Sequence, residues 1–118
     1  MLDIIEDIYD PDRDQIFRFI HCTLSNPDQY ERISRYPIII ETQPIFMTAV
    51  PLVRQRIGEE RAGNSLRFKS WLNNGIRITG GDDSPICDNN PFVEIRYAVL
   101  RETISLHKAW PYAAKSIF

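Results

Sequence analysis

The chain predicts as α/β, with a short parallel sheet packed against helices. Short apolar runs rich in β-branched residues, around 15–22, 38–42 and 76–79, alternate with segments of helical spacing. The run at 38–42 is continuous rather than alternating in polarity, the pattern of a strand covered on both faces. Alternation of strand and helix implies right-handed crossovers between parallel strands.

The elements follow in order. Leu2, Ile4, Ile5, Ile8 and Tyr9 recur at helical spacing, and Asp10-Pro11 ends that helix. The stretch 15–22 is short and rich in Ile and Phe, which suits a buried strand. Ser25-Asn26-Pro27 starts a helix over 27–35, closed by Tyr36-Pro37. The strand 38–42 stops at Gln43-Pro44. Residues 45–64 read as a long excursion with helical pattern only around 52–57. A helix over 65–72 ends at Asn73-Asn74-Gly75. The strand 76–79 is interrupted by Gly80-Gly81. Residues 91–103 form an amphipathic helix with Phe92, Ile95 and Val99 on one face. The tail 105–118 either continues as helix or breaks at Trp110-Pro111. No repeat or Gly/Ser linker divides the chain, so 1–118 reads as one domain.

Composition narrows the function. At 118 residues, with 43% apolar and 25% charged residues, the chain has the make-up of one soluble globular domain. A net charge of −2 supplies no positive field for phosphates, which argues against a nucleic-acid partner. Arg54, Arg56, Arg61 and Arg67 are interrupted by Glu59 and Glu60 and read as a solvated face. The longest apolar run, Ile38-Ile39-Ile40, is far short of a membrane span, and the acidic N-terminus lacks the basic region of a signal peptide. Cys22 and Cys87 have no CxxC spacing, which disfavours a structural zinc site; only their number speaks for a disulfide. A reduced, cytoplasmic protein is expected.

In parallel sheets chemistry gathers at the carboxyl ends of the strands. Three such ends are legible: His21-Cys22, Gln43-Pro44 and Asp82-Asp83. An imidazole and a carboxylate facing one crevice are ligand types that zinc accepts, and a carboxylate there can also serve as a general base. From spacing alone the bland readings stand beside this one. His21 also suits a hydrogen-bonded loop residue, and Gly80 to Pro85 is equally good turn chemistry.

A resemblance adds to this. The run Arg18-Phe19-Ile20-His21-Cys22-Thr23-Leu24-Ser25-Asn26-Pro27 resembles the strand 6 segment of the amidohydrolase superfamily, where an Arg-x-x-His motif opens a βα loop. It is similar in particular to the family 3 branch, with its formamide deformylase-like and exoenzyme regulatory-like members. Thr42-Gln43-Pro44 resembles the Gln-Pro that follows strand 7. Gly58 to Arg61, with Phe68 to Gly75, resembles a Gly-Glu-Glu-Arg run leading to Phe-Arg-x-Leu-Leu-x-x-Gly. Gly81-Asp82-Asp83-Ser84-Pro85 and Asn90-Pro91-Phe92 resemble the strand 8 Gly-Ser-Asp-x-Pro motif and a downstream helix start. The matches keep the family's order from about 14 to about 101.

The resemblance implies a partial (β/α) barrel, with three parallel strands equivalent to strands 6–8. It implies that His21 is a metal ligand or lies near the metal, and that Asp83 is both metal ligand and general base. The implied cofactor of the complete enzyme is a divalent metal, most readily zinc. Two positions depart from the pattern: Ile20 stands where the branch is commonly acidic, and Asp82 where it commonly has serine. Asp82 then binds metal, raises its neighbour's pKa by like-charge repulsion, or faces solvent.

The implied site is incomplete in this sequence. His21 and His107 are the only histidines, so the strand 1 HxH pair has no counterpart, nor can a bridging lysine or strand 5 histidine be placed. Such a barrel takes ~250 residues. The expectation is a segment of a C–N-hydrolysing amidohydrolase, inactive by itself and holding a metal weakly if at all, that needs the N-terminal part of a barrel. The alternative is a non-catalytic remnant with a structural or interaction role. On either reading the runs Ile38 to Ile40 and Ile76 to Ile78, taken as an apolar inner face with open strand edges, predict self-association. Trp71 and Trp110 read as packing residues, His107 as a surface residue.

Overall fold

The structure is a computed structural model that describes residues 1–87 and 89–102. His107, Trp110 and the tail 105–118 lie outside the described residues. Three strands, β1 (Phe17–Ile20), β2 (Ile38–Thr42) and β3 (Arg77–Gly80), form one parallel sheet in the order β1-β2-β3. Phe17 pairs with Ile38, Ile40 with Ile78 and Thr42 with Gly80, so the three strands end at nearly the same level. The helices are α1 (Leu2–Ile8), α2 (Tyr30–Ser34), α3 (Val50–Ile57), α4 (Glu59–Gly63), α5 (Phe68–Asn73) and α6 (Pro91–Glu102), with 3₁₀ turns at Pro27–Gln29 and Pro44–Ala49.

Burial alternates strictly along β2: Ile38, Ile40 and Thr42 are buried, while Ile39 and Glu41 are only half-buried. A strand places successive side chains on opposite faces, so one face of the sheet is packed and the other is open. The packed face meets Ile33, Phe68, Trp71 and Ile95, with Leu2 and Ile5 of α1 in the same core. The open face carries Arg18 and Ile20 from β1, Ile39 and Glu41 from β2, and Thr79 from β3, and Arg18 forms an ion pair with Glu41 there.

This corrects two expectations. The strand 38–42 is not covered on both faces. The inner face is not simply apolar: Ile38, Ile40, Ile76 and Ile78 pack beneath the chain's own helices, leaving a mixed surface on which Ile20 is 59% exposed. The apolar runs therefore do not by themselves supply a sticky face.

Element boundaries follow local chemistry. Asn26 and Gln29 form a capping box at the turn that leads into α2. The excursion 45–64 resolves into a 3₁₀ turn and two short helices, with Pro51 in the first turn of α3 and Gly58 (φ 85°) separating α3 from α4. Gly75, at φ 73°, reverses the chain after α5, as the Asn-Asn-Gly signal predicts. In α6 the stripe differs from expectation. Glu94 and Ile95 are buried and Ala98 and Val99 border the core, while Phe92 is 67% exposed.

The register predicts a sharp contrast between neighbours on β2. Ile40→Ala, at a fully buried position, is expected to cost about 2–5 kcal/mol of unfolding free energy, and Ile39→Ala about 1 kcal/mol. Urea denaturation of both variants checks this; equal losses would put the strand in the wrong phase.

Candidate active-site edge

The common level of the strand ends brings three loops to one edge of the sheet. His21 directly follows β1, Gln43 directly follows β2, and Asp82 and Asp83 come two and three residues after β3. Gly81 N–H donates to the Thr42 carbonyl at 3.0 Å, prolonging the β2–β3 pairing toward that edge. An open cleft of ≈ 780 Å³ runs along the bare face and is lined at this end by Gln43, Asp82 and Asp83.

His21 sits in an unusual backbone conformation. Its φ is 67°, and Cys22 N–H donates to the Ile20 carbonyl across it at 2.9 Å. This three-residue turn has the rarer, strained hand. The turn throws the imidazole toward β2, where Nδ1 lies 2.8 Å from Gln43 Oε1 and the ring stacks on Phe46 at a centroid distance of 5.9 Å. An amide oxygen only accepts, so this contact is the one made by the tautomer that is protonated on Nδ1. That is the tautomer a metal-ligating imidazole needs when its other nitrogen is anchored.

Asp83 also has positive φ, 59°, and its carbonyl accepts from Ile86 N–H at 2.8 Å, closing a turn. Asp82 Oδ1 accepts from Ser84 N–H at 2.8 Å, a side-chain turn of the kind the Gly-Gly-Asp-Asp sequence favours. Asp82 is therefore engaged as a turn residue. His21 and Asp83 share the edge but make no hydrogen bond to each other; with β2 between them their strands stand roughly 10 Å apart, two strand spacings.

The donor set does not amount to a metal site by itself. Catalytic zinc sites usually take three protein ligands, and among the described residues no group of three or more His, Cys, Asp or Glu side chains converges to hold an ion. The cysteines add nothing: burial pushes the Cys22 thiol up to about 11, and burial with the charges of Glu94, Asp83 and Asp82 raises that of Cys87, so neither favours the thiolate. Both thiols are free.

One residue near this edge escaped the sequence reading. Glu94, on α6, is only 2% exposed, and its Oε2 accepts from Ile45 N–H at 3.0 Å while Oε1 has no partner. Burial above all, with the charge of Asp82 helping against the Ile45 hydrogen bond, raises its carboxyl to about 7. The signal was present: Glu94 stands in phase with Ile95 and Ala98 on the buried side of an amphipathic helix, where a charge is rarely found.

The comparisons with known proteins agree with this geometry. A family model described as the amidohydrolase family matches residues 5–113. The chain belongs to the amidohydrolase family. It is similar to the putative amidohydrolase YtcJ of Bacillus subtilis, 34% identical over 87 residues that make up 73% of this chain and 16% of that protein. It is 33% identical over 116 residues to the Arabidopsis thaliana protein LONG AFTER FAR-RED 3, covering 92% of this chain and 20% of that one. Among solved structures, an uncharacterized metal-dependent hydrolase from Pyrococcus furiosus superposes with a TM-score of 0.81 at 30% identity, over 98% of this chain and 25% of its own. A second, from Pyrococcus horikoshii, gives 0.72 at 28% identity. The three-stranded sheet is thus a partial amidohydrolase barrel, spanning a sixth to a quarter of the proteins it matches.

The Glu94 environment sets a pH dependence. Burial favours the neutral acid, so the folded chain holds this proton to about pH 7 while the unfolded chain releases it near 4.5. Between those values the folded state binds more protons, and stability falls as pH rises. Glu94→Gln is expected to remove this slope, so that the variant gains on the wild type by about 3 kcal/mol between pH 4.5 and 8. Urea midpoints across that range measure it; parallel pH profiles for the two proteins would contradict it.

Proposed function

We propose that this chain supplies the strand 6 to strand 8 part of a metal-dependent hydrolase acting on C–N bonds of the amide or formamide type, with His21 and Asp83 as its contributions to the site. The single observation that carries the reading is the common edge. A histidine whose Nδ1 is anchored on Gln43 Oε1 and a half-buried aspartate follow two strands of one parallel sheet, each from a left-handed backbone position that non-glycine residues rarely adopt. On this reading His21 and Asp83 would help hold a divalent metal, most readily zinc, which would supply Lewis-acid activation of the attacking water, and Asp83 would take that water's proton. The remaining ligands come from outside these residues, because the described set falls short of three converging groups. Taken alone, the chain is inactive. Its free thiols accord with a cytoplasmic location.

A second reading is supported by the open face. Ile16, Ile20 and Ile39 lie along one cleft, with the outer edges of β1 and β3 beside it. A chain with that surface and no complementing barrel would self-associate as a non-catalytic module. No helix among the described residues is long and apolar enough to cross a membrane.

A chimera separates the two. The quarter of the Pyrococcus furiosus hydrolase that this chain matches is replaced by the chain, and hydrolysis of a panel of amides and formamides is followed. The chimera is expected to retain hydrolysis and to lose at least ~100-fold in kcat on Asp83→Asn, in line with removal of a general base. The isolated chain is expected to be inactive and larger than a monomer by light scattering. Full activity of the Asp83→Asn chimera would refute the assignment.

A further inference from the structure

Residue 45 lies between the two residues that hold the His21 ring. Gln43 hydrogen-bonds Nδ1, and Phe46 stacks on the imidazole. These residues start the 3₁₀ turn Pro44–Ala49, and Phe46 N–H donates to the Gln43 carbonyl at 3.0 Å, so they move as one unit. At the head of such a turn the first N–H groups have no partner within it. Pro44 has no N–H to satisfy. The residue before it, Gln43, stands at the N-cap but makes no side-chain capping bond; its side chain is hydrogen-bonded to His21.

The N–H of Ile45 is instead satisfied from α6, by the buried Glu94 carboxyl 49 residues along the chain. The Glu94 carboxyl is costly to bury, for one of its oxygens has no partner. A group kept inside the core at such cost, bonded to the segment that clasps His21, is placed to set the position of that segment.

We propose that Glu94 is a positioning residue: from α6 it anchors Ile45, and thereby holds Gln43 and Phe46 against the two sides of the His21 imidazole. The inference rests on the reading of His21 as a site residue. The link itself is a matter of geometry and is measured without activity. Glu94 touches no reacting atom; it acts through the β2 loop. Losing the anchor lets the loop shift, so that Nδ1 loses its fixed acceptor and the ring its fixed tautomer.

The ring nitrogens report this directly. In the full chain labelled with ¹⁵N-histidine, at pH 8, the His21 signals are assigned by their loss in His21→Gln. The wild type is expected to show the Nδ1–H tautomer in large excess. Glu94→Met, which fills the same space without an acceptor, is expected to bring His21 to a mixture of tautomers with at least a threefold loss of that excess. Glu94→Gln, which can still accept from Ile45 N–H, is expected to restore the wild-type pattern; a merely structural role predicts no such rescue. A folded Glu94→Met chain with an unchanged His21 pattern overturns the proposal. Should that variant not fold, hydrogen exchange of the Ile45 amide in the wild type decides: protection equal to that of the β2 amides supports the anchor, and exchange at the unprotected rate overturns it. An inactive chimera with the Nδ1–H tautomer intact would refute the functional reading and leave the anchor standing.

Discussion

The constraint on which the rest depends is the in-register parallel pairing of three short strands. A parallel sheet places all its carboxyl ends on one edge, and here the ends differ in level by hardly a residue: Thr42 faces Gly80, and Ile20 faces Glu41. The loops that leave them therefore begin side by side. His21, Gln43 and Asp83 come from segments separated by tens of residues, yet they meet along this line because the sheet leaves them no other place. The packing that fixes the register lies on the opposite face, where Ile40, Phe68 and Trp71 exclude water. Trp71 adds a directional tie, donating from Nε1 to Ser25 Oγ at 2.8 Å and fastening α5 to the loop that starts at His21.

Much of this was legible in the sequence. The strand 38–42 has the bounds the sequence predicts, because four of its five residues, Ile38, Ile39, Ile40 and Thr42, are β-branched and prolines stand on either side at 37 and 44. The strand ends lie close to where the sequence predicts them, the third marked by Gly80-Gly81, whereas the roles of His21 and Asp83 were implied only by the family resemblance. The excursion 45–64 was not legible. Its helices are short, Pro51 and Gly58 interrupt the periodicity, and α3 buries none of its residues, so no long apolar stripe exists to be found. The two-sided burial expected for β2 failed for a different reason. Isoleucine at 38, 39 and 40 looks the same in sequence whether or not a second layer covers the strand, and only the fold reveals that Ile39 points to the open side.

Glu94 escaped because it breaks the pattern used to read helices. An acidic residue near a helix start is read as a complement to the helix dipole and assigned to solvent. Its partner, the Ile45 N–H, lies at the start of the excursion 45–64, where helical pattern is confined to 52–57. The mixed open face has a related lesson. Arg18 and Glu41 neutralise each other there, so charges that would mark a strand as solvent-facing sit on the side that a closed barrel would enclose. The same mixed polarity limits what the apolar runs alone say about assembly.

Membership in the amidohydrolase family, together with fewer than three converging ligands among the described residues, motivates the proposal that the chain carries a share of a site. Equilibrium dialysis of the isolated chain against zinc tests that most directly. The account predicts weak uptake, well below one ion per chain at micromolar zinc and changed little by His21→Gln or Asp83→Asn. One zinc bound tightly per chain, and lost in both variants, would show that these residues complete a metal site without the rest of the barrel.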